Sequence, residues 1–201
     1  MAVKFQFNKT SLAEMNKQLK VRTRALPTIK SKESALRLEV KRAKDMATEY
    51  VRQLDELSAQ YDYMVALWGE FDPELLRVED VRMSHKKIAG VAIPVLDQVI
   101  FAQKPYDIFS SPIWIADGVE LLKRVARLGL EYEFHNRRTR LLDHARKKTT
   151  QKVNLYEKVQ IPGYQDAILR IKRFLEDEEN LSKSAQKIVK TRQESMEEGA
   201  V

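Results

Sequence analysis

The sequence predicts a mainly α-helical protein: a long antiparallel two-helix coiled coil formed by N- and C-terminal helices, with a small β-hairpin and short helices in the middle region. Apolar residues recur at alternating spacings of three and four from Leu12 to Trp68, and a second such series begins at Ile161. Between the two series, short β-branched runs are bounded by glycine and proline. We therefore expect an N-terminal coiled-coil helix (residues 1–70), a middle region with the hairpin (71–112) and a C-terminal coiled-coil helix (113–201), together one elongated domain.

The first apolar series defines the N-terminal helix. Its members occupy the seam positions Leu12, Met15, Leu19, Arg22, Leu26, Ile29, Glu33, Leu36, Val40, Ala43, Ala47, Tyr50, Leu54, Leu57, Tyr61, Met64 and Trp68. Only Arg22 and Glu33 are not apolar, so the stretch has the heptad spacing of one coiled-coil strand. As a continuous helix it would extend about 85 Å, at roughly 1.5 Å per residue.

Capping and breaker residues predict where this helix begins, bends and ends. Ser11 is followed three residues later by Glu14, a pattern typical of a capping box at a helix N-terminus. Pro27 removes an amide and crowds the preceding turn, so we expect a kink or a break just before it. The helix should end by Gly69, with a turn and a brief second helix at Pro73.

The middle region changes from helical to strand-like patterning. The runs 88–96 and 99–101 are rich in β-branched residues and are interrupted by Gly90 and Pro94. They predict a β-hairpin between roughly Val81 and Gln103. An isolated hairpin is marginally stable in water, so it should pack on the helices or on another protein chain. The alternative is that this stretch is only a connector.

Helical patterning returns after Pro112 and continues almost to the end of the chain. The second apolar series comprises Ile161, Tyr164, Ile168, Ile171, Leu175, Glu178, Leu181, Ala185 and Ile188. Two long helices separated by a compact excursion favour an antiparallel pair, in which each seam buries the other. Pro162-Gly163 should kink the second helix, and in this arrangement it would lie near the level of Pro27.

Composition excludes several classes of protein. Of the 201 residues, 43% are hydrophobic and 32% charged, which suits long helices and is too apolar for a disordered chain. Cysteine is absent, so there is neither a disulfide nor a thiolate metal site. We expect no signal peptide after Met1 and no direct membrane insertion, because no run approaches the ~18 apolar residues of a membrane span.

The residue types of enzymes and metal sites are present but not in the required patterns. The glycines form neither a phosphate loop nor a dinucleotide-binding turn. His85, His135 and His144 lack the spacing that puts two ligands on one helix face. The acidic run 176–179 would point its carboxylates around a helix instead of converging them on a cation. We therefore expect no catalytic residue, cofactor or metal, and hence no enzyme activity in this chain.

A basic track in the second half of the chain could bind an acidic surface. Its residues are Arg137, Arg138, Arg140, Arg146, Lys147, Lys148 and Lys152. The net charge of +7 makes nucleic acid a candidate, but the track lacks aromatic stacking platforms and any known reading motif. We therefore expect no nucleic-acid partner. The track is either an ordinary solvated helix face or a contact surface for acidic protein.

Three segments, in order along the chain, resemble the D subunit of the V-type and archaeal/bacterial A-type ATPases. The segment 26–36 is similar to that family's "L-L-K-x-K-R-x-x-L", and 88–94 is similar to its "V-A-G-V-x-x-P". The segment 147–162 resembles "RRVNALE…IP", and Ile168 opens a continuation similar to "I…I…L-E-E-x-E-R…K…K". The chain departs from the family pattern at several positions, which are Pro27, Thr28, Thr149, Thr150, Gln151, Tyr156 and Asn180.

The resemblance implies a non-catalytic central rotor shaft on the cytoplasmic side of a membrane, as a peripheral part of the ATPase complex. Such a shaft couples ATP hydrolysis or synthesis in a head of alternating A and B subunits to proton or sodium ion transport through a membrane ring. The implied partners are the A and B subunits of the head, the small F subunit, and a funnel-shaped subunit above the membrane ring. The competing interpretation is a non-rotary coiled-coil adaptor or scaffold, which would show the same seam.

The resemblance also implies contact residues. Those expected to face the head are Leu26, Ile29, Lys30, Lys32, Val153, Asn154, Leu155, Ile161 and Pro162. Those of the hairpin expected to contact the F subunit are Gly90, Val91, Ile93 and Pro94. The basic track is expected to meet acidic surfaces of the stator or stalk.

Overall fold

The computed structural model contains two long helical regions with a β-hairpin between them. It describes residues 3–107 and 111–198. In chain order the elements are α1 (Lys9–Gln60), 3-10 helices at Asp62–Glu70 and Pro73–Leu75, β1 (Leu76–Ile88), β2 (Val91–Gln103), α2 (Trp114–Asn154), a π-helical segment (Leu155–Gln160) and α3 (Ile161–Glu198). The predicted fold class, mainly helical with a small central hairpin, is confirmed.

Helix α1 is capped by Asn8, three residues before the predicted capping residue. The Asn8 Oδ1 accepts a hydrogen bond of 2.7 Å from the backbone N–H of Ser11. The Ser11 hydroxyl accepts from the backbone N–H of Gln6 at 3.2 Å. The capping box predicted at Ser11 and Glu14 is therefore wrong, because Ser11 already lies in the first helical turn and Asn8 satisfies its amide.

Two irregularities expected along α1 have different outcomes. Pro27 lies inside the helix, which continues across it without a break. The α-helix ends at Gln60 and gives way to the 3-10 helix 62–70, so the seam does not form one α-helix as far as Trp68. The tighter 3-10 turns still bury Met64, and the centroid of the Trp68 ring lies 5.6 Å from that of the Trp114 ring.

The hairpin is longer than the sequence predicted. β1 and β2 pair antiparallel, from Leu76 opposite Gln103 to Ile88 opposite Val91, so β1 begins before the predicted Val81. The two-residue turn consists of Ala89 and Gly90, with φ of 48° and 79°. Positive φ at both positions is the geometry of a type I′ turn, which matches the twist of the paired strands and favours glycine.

The chain divides into two units, which we describe separately. The terminal unit comprises the residues up to 31 and from 150, and the middle unit comprises 32–149. In the terminal unit, α1 pairs antiparallel with the C-terminal helical region, since Arg22 bonds to Gln160 and Lys30 bonds to Glu157. Its core consists of Met15, Ala167, Ile168 and Ile171, with Leu12, Leu19, Tyr164 and Leu175 packed against it.

In the middle unit, the hairpin packs on the helices. One core cluster consists of Leu36, Val40, Ala43, Ile93 and Leu142, with Ile88 and Val91 against it. A second consists of Leu75, Ile115 and Val119, with Phe71 and Trp114 against it. Ile93 of β2 is fully buried among residues of α1 and α2, so the hairpin is part of this unit's core and not a loose connector.

We predict that Leu142→Ala lowers the free energy of unfolding by about 2–5 kcal/mol, because the side chain is 0% exposed and its loss leaves a cavity. The matched control is Leu141→Ala at the adjacent position, which is 40% exposed and should cost less than about 1 kcal/mol. Urea unfolding followed by circular dichroism measures both. Equal losses for the two variants would contradict this assignment of the seam.

Candidate interaction surfaces

The last part of α3 exposes apolar side chains that the sequence placed in a seam. All residues from 176 to 195 are exposed, including Leu181 at 72% and Ile188 at 55%. The acidic run at the start of this stretch is solvated as expected, and Glu179 pairs with Lys183 at 2.7 Å. Within the described chain, α3 therefore packs against α1 only as far as Leu175, and beyond it presents a mixed charged and apolar surface.

The residues expected to face the head differ in exposure. Leu26, Ile29, Val153 and Ile161 are half-buried in the helix pair, whereas Lys30, Lys32, Asn154, Leu155 and Pro162 are exposed. The Lys30 ammonium donates to the Glu157 carboxylate at 2.6 Å, which ties α1 to the π-helical segment within the terminal unit. Lys32 belongs to the middle unit, where its Nζ approaches Gly90 of the hairpin turn.

Arg22, one of the two polar seam residues, is held by a polar and aromatic cluster. Its Nε donates to Gln160 Oε1 at 2.6 Å, and its Nη1 donates to Gln18 Oε1 at 2.5 Å. Its guanidinium lies 4.7 Å from the ring centroid of Tyr164 and 5.9 Å from that of Tyr156, within cation–π range. Sequence reasoning missed this cluster, although the charge interrupting an apolar series was its signal.

Two of the four hairpin residues expected to contact the F subunit are buried. Gly90 is exposed and Val91 half-buried, but Ile93 and Pro94 are buried. The polar exposure of the hairpin comes instead from β1, which carries Lys86 and Lys87 near the turn and further charged residues along its length. A contact with another chain at this hairpin would therefore involve β1 side chains, with Ile93 acting as a support.

The basic track is partly neutralised within the chain. Arg138 pairs with Glu39 of α1 at 3.1 Å, and both Arg146 and Lys147 pair with Asp143, at 2.8 and 3.1 Å. Lys152 lies in the terminal unit, with its Nζ 5.7 Å from the Tyr156 ring centroid. The members of the track that are exposed and form no ion pair in the described part of the middle unit are Arg137, Arg140 and Lys148.

A half-buried polar cluster joins α1 and α2 in the middle unit. The rings of Tyr50 and His135 lie 5.3 Å apart, and the His135 Nδ1 is buried without a hydrogen-bond partner among the described residues. Burial lowers the pKa of His135, and the nearby Arg138 guanidinium lowers it further. Burial also raises the pKa of Glu131, which lies one helical turn away. The cluster therefore favours a neutral imidazole at this position.

The described residues lack two further features, a metal-binding cluster and a membrane-spanning helix. They contain no group of three or more His, Asp or Glu side chains placed to hold a metal ion. No described helix is both long and apolar enough to span a bilayer. An open groove of about 540 Å³ lies between the end of α1, β2 and α2, with Leu57, Phe101 and Leu128 on its wall. The Glu120 carboxylate, which also lines the groove, pairs with Lys123 at 2.7 Å.

The fold defines a helical protein in which apolar seams pair long helices and a β-hairpin is inserted between them. The family model described as the ATP synthase D subunit matches residues 11–191, so the chain belongs to that family. This confirms the family resemblance inferred from the sequence motifs.

Relatives of the same description match over most of their length. The chain is 28% identical to the V-type ATP synthase D subunit of Borreliella burgdorferi over 190 residues, or 94% of each chain. It is 27% identical to that of Chlamydia caviae over 76% of each chain. It is 26% identical to that of Chlamydia muridarum over 88% of this chain and 90% of the relative.

We predict that the middle unit loses stability in mild acid through His135. Its folded-state pKa lies below the ordinary value of about 6.5, so the unfolded chain takes up the proton first as the pH falls. The stabilising contribution of the neutral imidazole is complete above about pH 6.5 and is lost as the pH falls through and below that value.

Urea unfolding at pH 7.5 and 5.5 measures this effect in the full chain. His135→Gln should reduce the loss of unfolding free energy between the two values. The matched control is His144→Gln, an exposed histidine on the same helix, which should leave the loss unchanged. An identical pH dependence in His135→Gln and in the unchanged chain would show that His135 does not carry it.

Proposed function

We propose that this chain is the central rotor shaft of a V/A-type rotary ATPase or ATP synthase. In this proposal it turns inside a head of A and B subunits and couples ATP hydrolysis or synthesis there to proton or sodium ion transport through a membrane ring. It acts as a non-catalytic subunit, peripheral on the cytoplasmic side. The observation that carries the proposal is the helix pair within each unit, which is antiparallel in the terminal unit, of a chain that belongs to the family of D subunits.

The helix pairs fit the mechanical demand of a shaft. Transmitting torque requires helices that do not turn independently, and the buried seams of Met15 with Ile171 and of Leu36 with Leu142 interlock them. Charges bridge the two helices as well, from Arg138 to Glu39. Interlocked side chains along α1 resist the relative rotation that would dissipate torque.

The exposed end of α3 suits insertion into the head. Its apolar residues Leu181 and Ile188 alternate with lysines and glutamates, and no described residue covers them. A shaft that turns in a collar must contact it without locking to it. Exposed ion pairs contribute only about 0–1 kcal/mol each and exchange readily, so such a mixed surface permits both contact and rotation.

The middle unit supplies surfaces for the other proposed partners. The F subunit would bind at the hairpin through the charged face of β1. The funnel-shaped subunit above the membrane ring would bind the apolar side chains that flank the hairpin in sequence, since Tyr63, Val65 and Ile113 are among the most exposed hydrophobic residues described. A non-rotary coiled-coil adaptor remains the second candidate because its seam would look the same.

We predict that the chain forms a one-to-one complex with the F subunit and that a single copy then joins a hexamer of A and B subunits and changes its ATPase rate. Size-exclusion chromatography with light scattering measures both stoichiometries. A chain that self-associates, or that leaves the hexamer untouched, would favour the adaptor.

The basic residues that form no ion pair in the described middle unit provide a second test, of the role of the basic track in assembly. Reversing Arg137, Arg140 and Lys148 to glutamate should weaken assembly with the head and stalk by more than about tenfold at low salt, because attraction becomes repulsion. The corresponding triple glutamine variant should assemble more weakly than the unchanged chain and more strongly than the glutamate variant. Since all three side chains are exposed, helicity should not change in either variant. Unchanged assembly and rotation in the glutamate variant would refute the role of the track.

We further predict that Lys86→Glu combined with Lys87→Glu weakens binding of the F subunit about tenfold without lowering the melting temperature, because both side chains are exposed on β1. The matched control is Ile93→Val, which removes a buried methylene and should lower the melting temperature while preserving binding. Isothermal calorimetry and thermal unfolding give the two readouts. Normal binding by the lysine double variant would remove β1 from the interface.

A further inference from the structure

Within the middle unit, the N-terminal seam is buried at its two ends but not between them. Leu36, Val40 and Ala43 belong to one core cluster, and Met64 is buried in the 3-10 helix that follows α1. The seam positions between them are only half-buried. These are Ala47, Tyr50, Leu54, Leu57 and Tyr61. The apolar face of α1 therefore has an incomplete partner over this stretch.

The open groove between α1, β2 and α2 lies beside the second half of this stretch. Its apolar wall consists of Leu57, Phe101 and Leu128, one from each element, and all three are half-buried. Core clusters lie before and after the groove along these elements. Ile93 of β2 belongs to one of them and Val119 of α2 to the other. The groove is thus a gap in the packing between two closed parts of the same unit.

The α2 side of the groove is basic. Lys123, Arg124 and Arg127 line it. The Lys123 ammonium is engaged, since it donates to Glu120 at 2.7 Å and to Gln103 at 3.1 Å. Arg124 and Arg127 are exposed, and neither takes part in an ion pair with another residue of the described chain. Two guanidinium groups are therefore available to acidic groups that enter the groove.

The other acidic residues nearby do not compete for these arginines inside the groove. Glu56 lines the α1 side between Gln53 and Gln60, and its carboxylate pairs with Arg52. Glu131, one helical turn beyond the second arginine, is half-buried and does not line the groove. The groove accordingly has an apolar wall, a polar α1 side whose one acid is paired, and a basic α2 side.

The shape of the groove favours a helix over a small molecule. Its α1 side, from Gln53 to Gln60, extends about 10 Å, or roughly two helical turns. A small ligand usually binds in a cleft that encloses most of its surface, whereas this groove is open. An amphipathic helix can bury its apolar face between two other helices and keep its charged flanks at the rims.

We propose that this groove is the docking site for an amphipathic helix of a partner chain that carries acidic residues along one flank. The apolar face of that helix would pack against Leu57, Phe101 and Leu128. Its acidic flank would meet Arg124 and Arg127. This surface is separate from the β1 face and from the basic track. It goes beyond the rotor assignment and holds equally for a non-rotary adaptor.

Binding of designed peptides to the full chain tests this docking site. The probe is a helical peptide of about 14 residues, with leucines on one face and glutamates along one flank. Because it buries less area than a standard interface, its dissociation constant should be about 1–100 µM by fluorescence anisotropy. Replacing its glutamates by lysines, or its leucines by alanines, should weaken binding at least about tenfold. Absence of binding by the probe, or equal binding by either control peptide, would overturn the proposal.

Charge reversal in the chain shows where the probe binds. Arg124→Glu combined with Arg127→Glu should weaken binding of the glutamate peptide at least about tenfold and should strengthen binding of the lysine peptide. The matched control is Arg137→Glu combined with Arg140→Glu, an exposed pair with the same spacing on the same helix. At physiological salt this control should change neither affinity by more than about twofold, because it lies beyond the screening distance. Equal losses in the two variants would show non-specific attraction to basic residues and refute the site.

An introduced cysteine reports the position of the probe independently, because the chain has no cysteine of its own. In the Gln60→Cys variant the thiol lies on the α1 side of the groove, and saturating glutamate peptide should slow its alkylation at least about fivefold. The matched control is Ser58→Cys, an exposed position two residues away that does not line the groove, where the rate should not change. Unslowed alkylation of the Gln60→Cys variant would place the peptide elsewhere and contradict the docking site.

Discussion

Burial of the α1 seam is the interaction on which the rest of this structure depends. A helix pair shares only one face, so a few side chains such as Met15, Leu36 and Ala43 provide most of the apolar burial on that face. Polar residues on the same face must therefore be satisfied locally. Glu33, 9% exposed, accepts from Arg37 at 2.9 Å, and Arg22 is surrounded by glutamines and tyrosines. With these partners, Arg22 and Glu33 lie in the seam without interrupting α1.

The hairpin adds a third element to the apolar core that forms along this seam. Ile93 contributes a fully buried side chain to the cluster that Leu36 and Leu142 form, and the turn residues Ala89 and Gly90 adopt the positive φ that brings β2 back along β1. Because the hairpin shares a core with both helices, its exposed strand β1 is presented on a fixed support. The exposed charged side chains of β1 are therefore positioned by the same apolar residues that pair the helices.

Periodicity predicted the helices and the hairpin but not their local detail. The capping box was predicted at Ser11, but Asn8 caps the helix, and propensity alone does not choose between asparagine and serine. The start of β1 before Val81 was not predicted, because its charged and exposed residues lack the apolar alternation that marks a half-buried strand. The ion pair of Arg138 with Glu39 could not be foreseen either, since it depends on the register between helices far apart in sequence.

The π-helical segment Leu155–Gln160 shows a backbone detail that apolar periodicity does not predict. The second apolar series looks regular from Ile161 onward, and the first looks regular across Pro27, so neither reveals an irregularity when it is considered alone. The irregularity is visible only in the backbone, where the Ile161 N–H donates to the carbonyl of Tyr156, five residues earlier. Pro162 follows this segment closely, whereas Pro27 lies inside α1 without a π-helical turn, so a proline in the sequence does not by itself predict one.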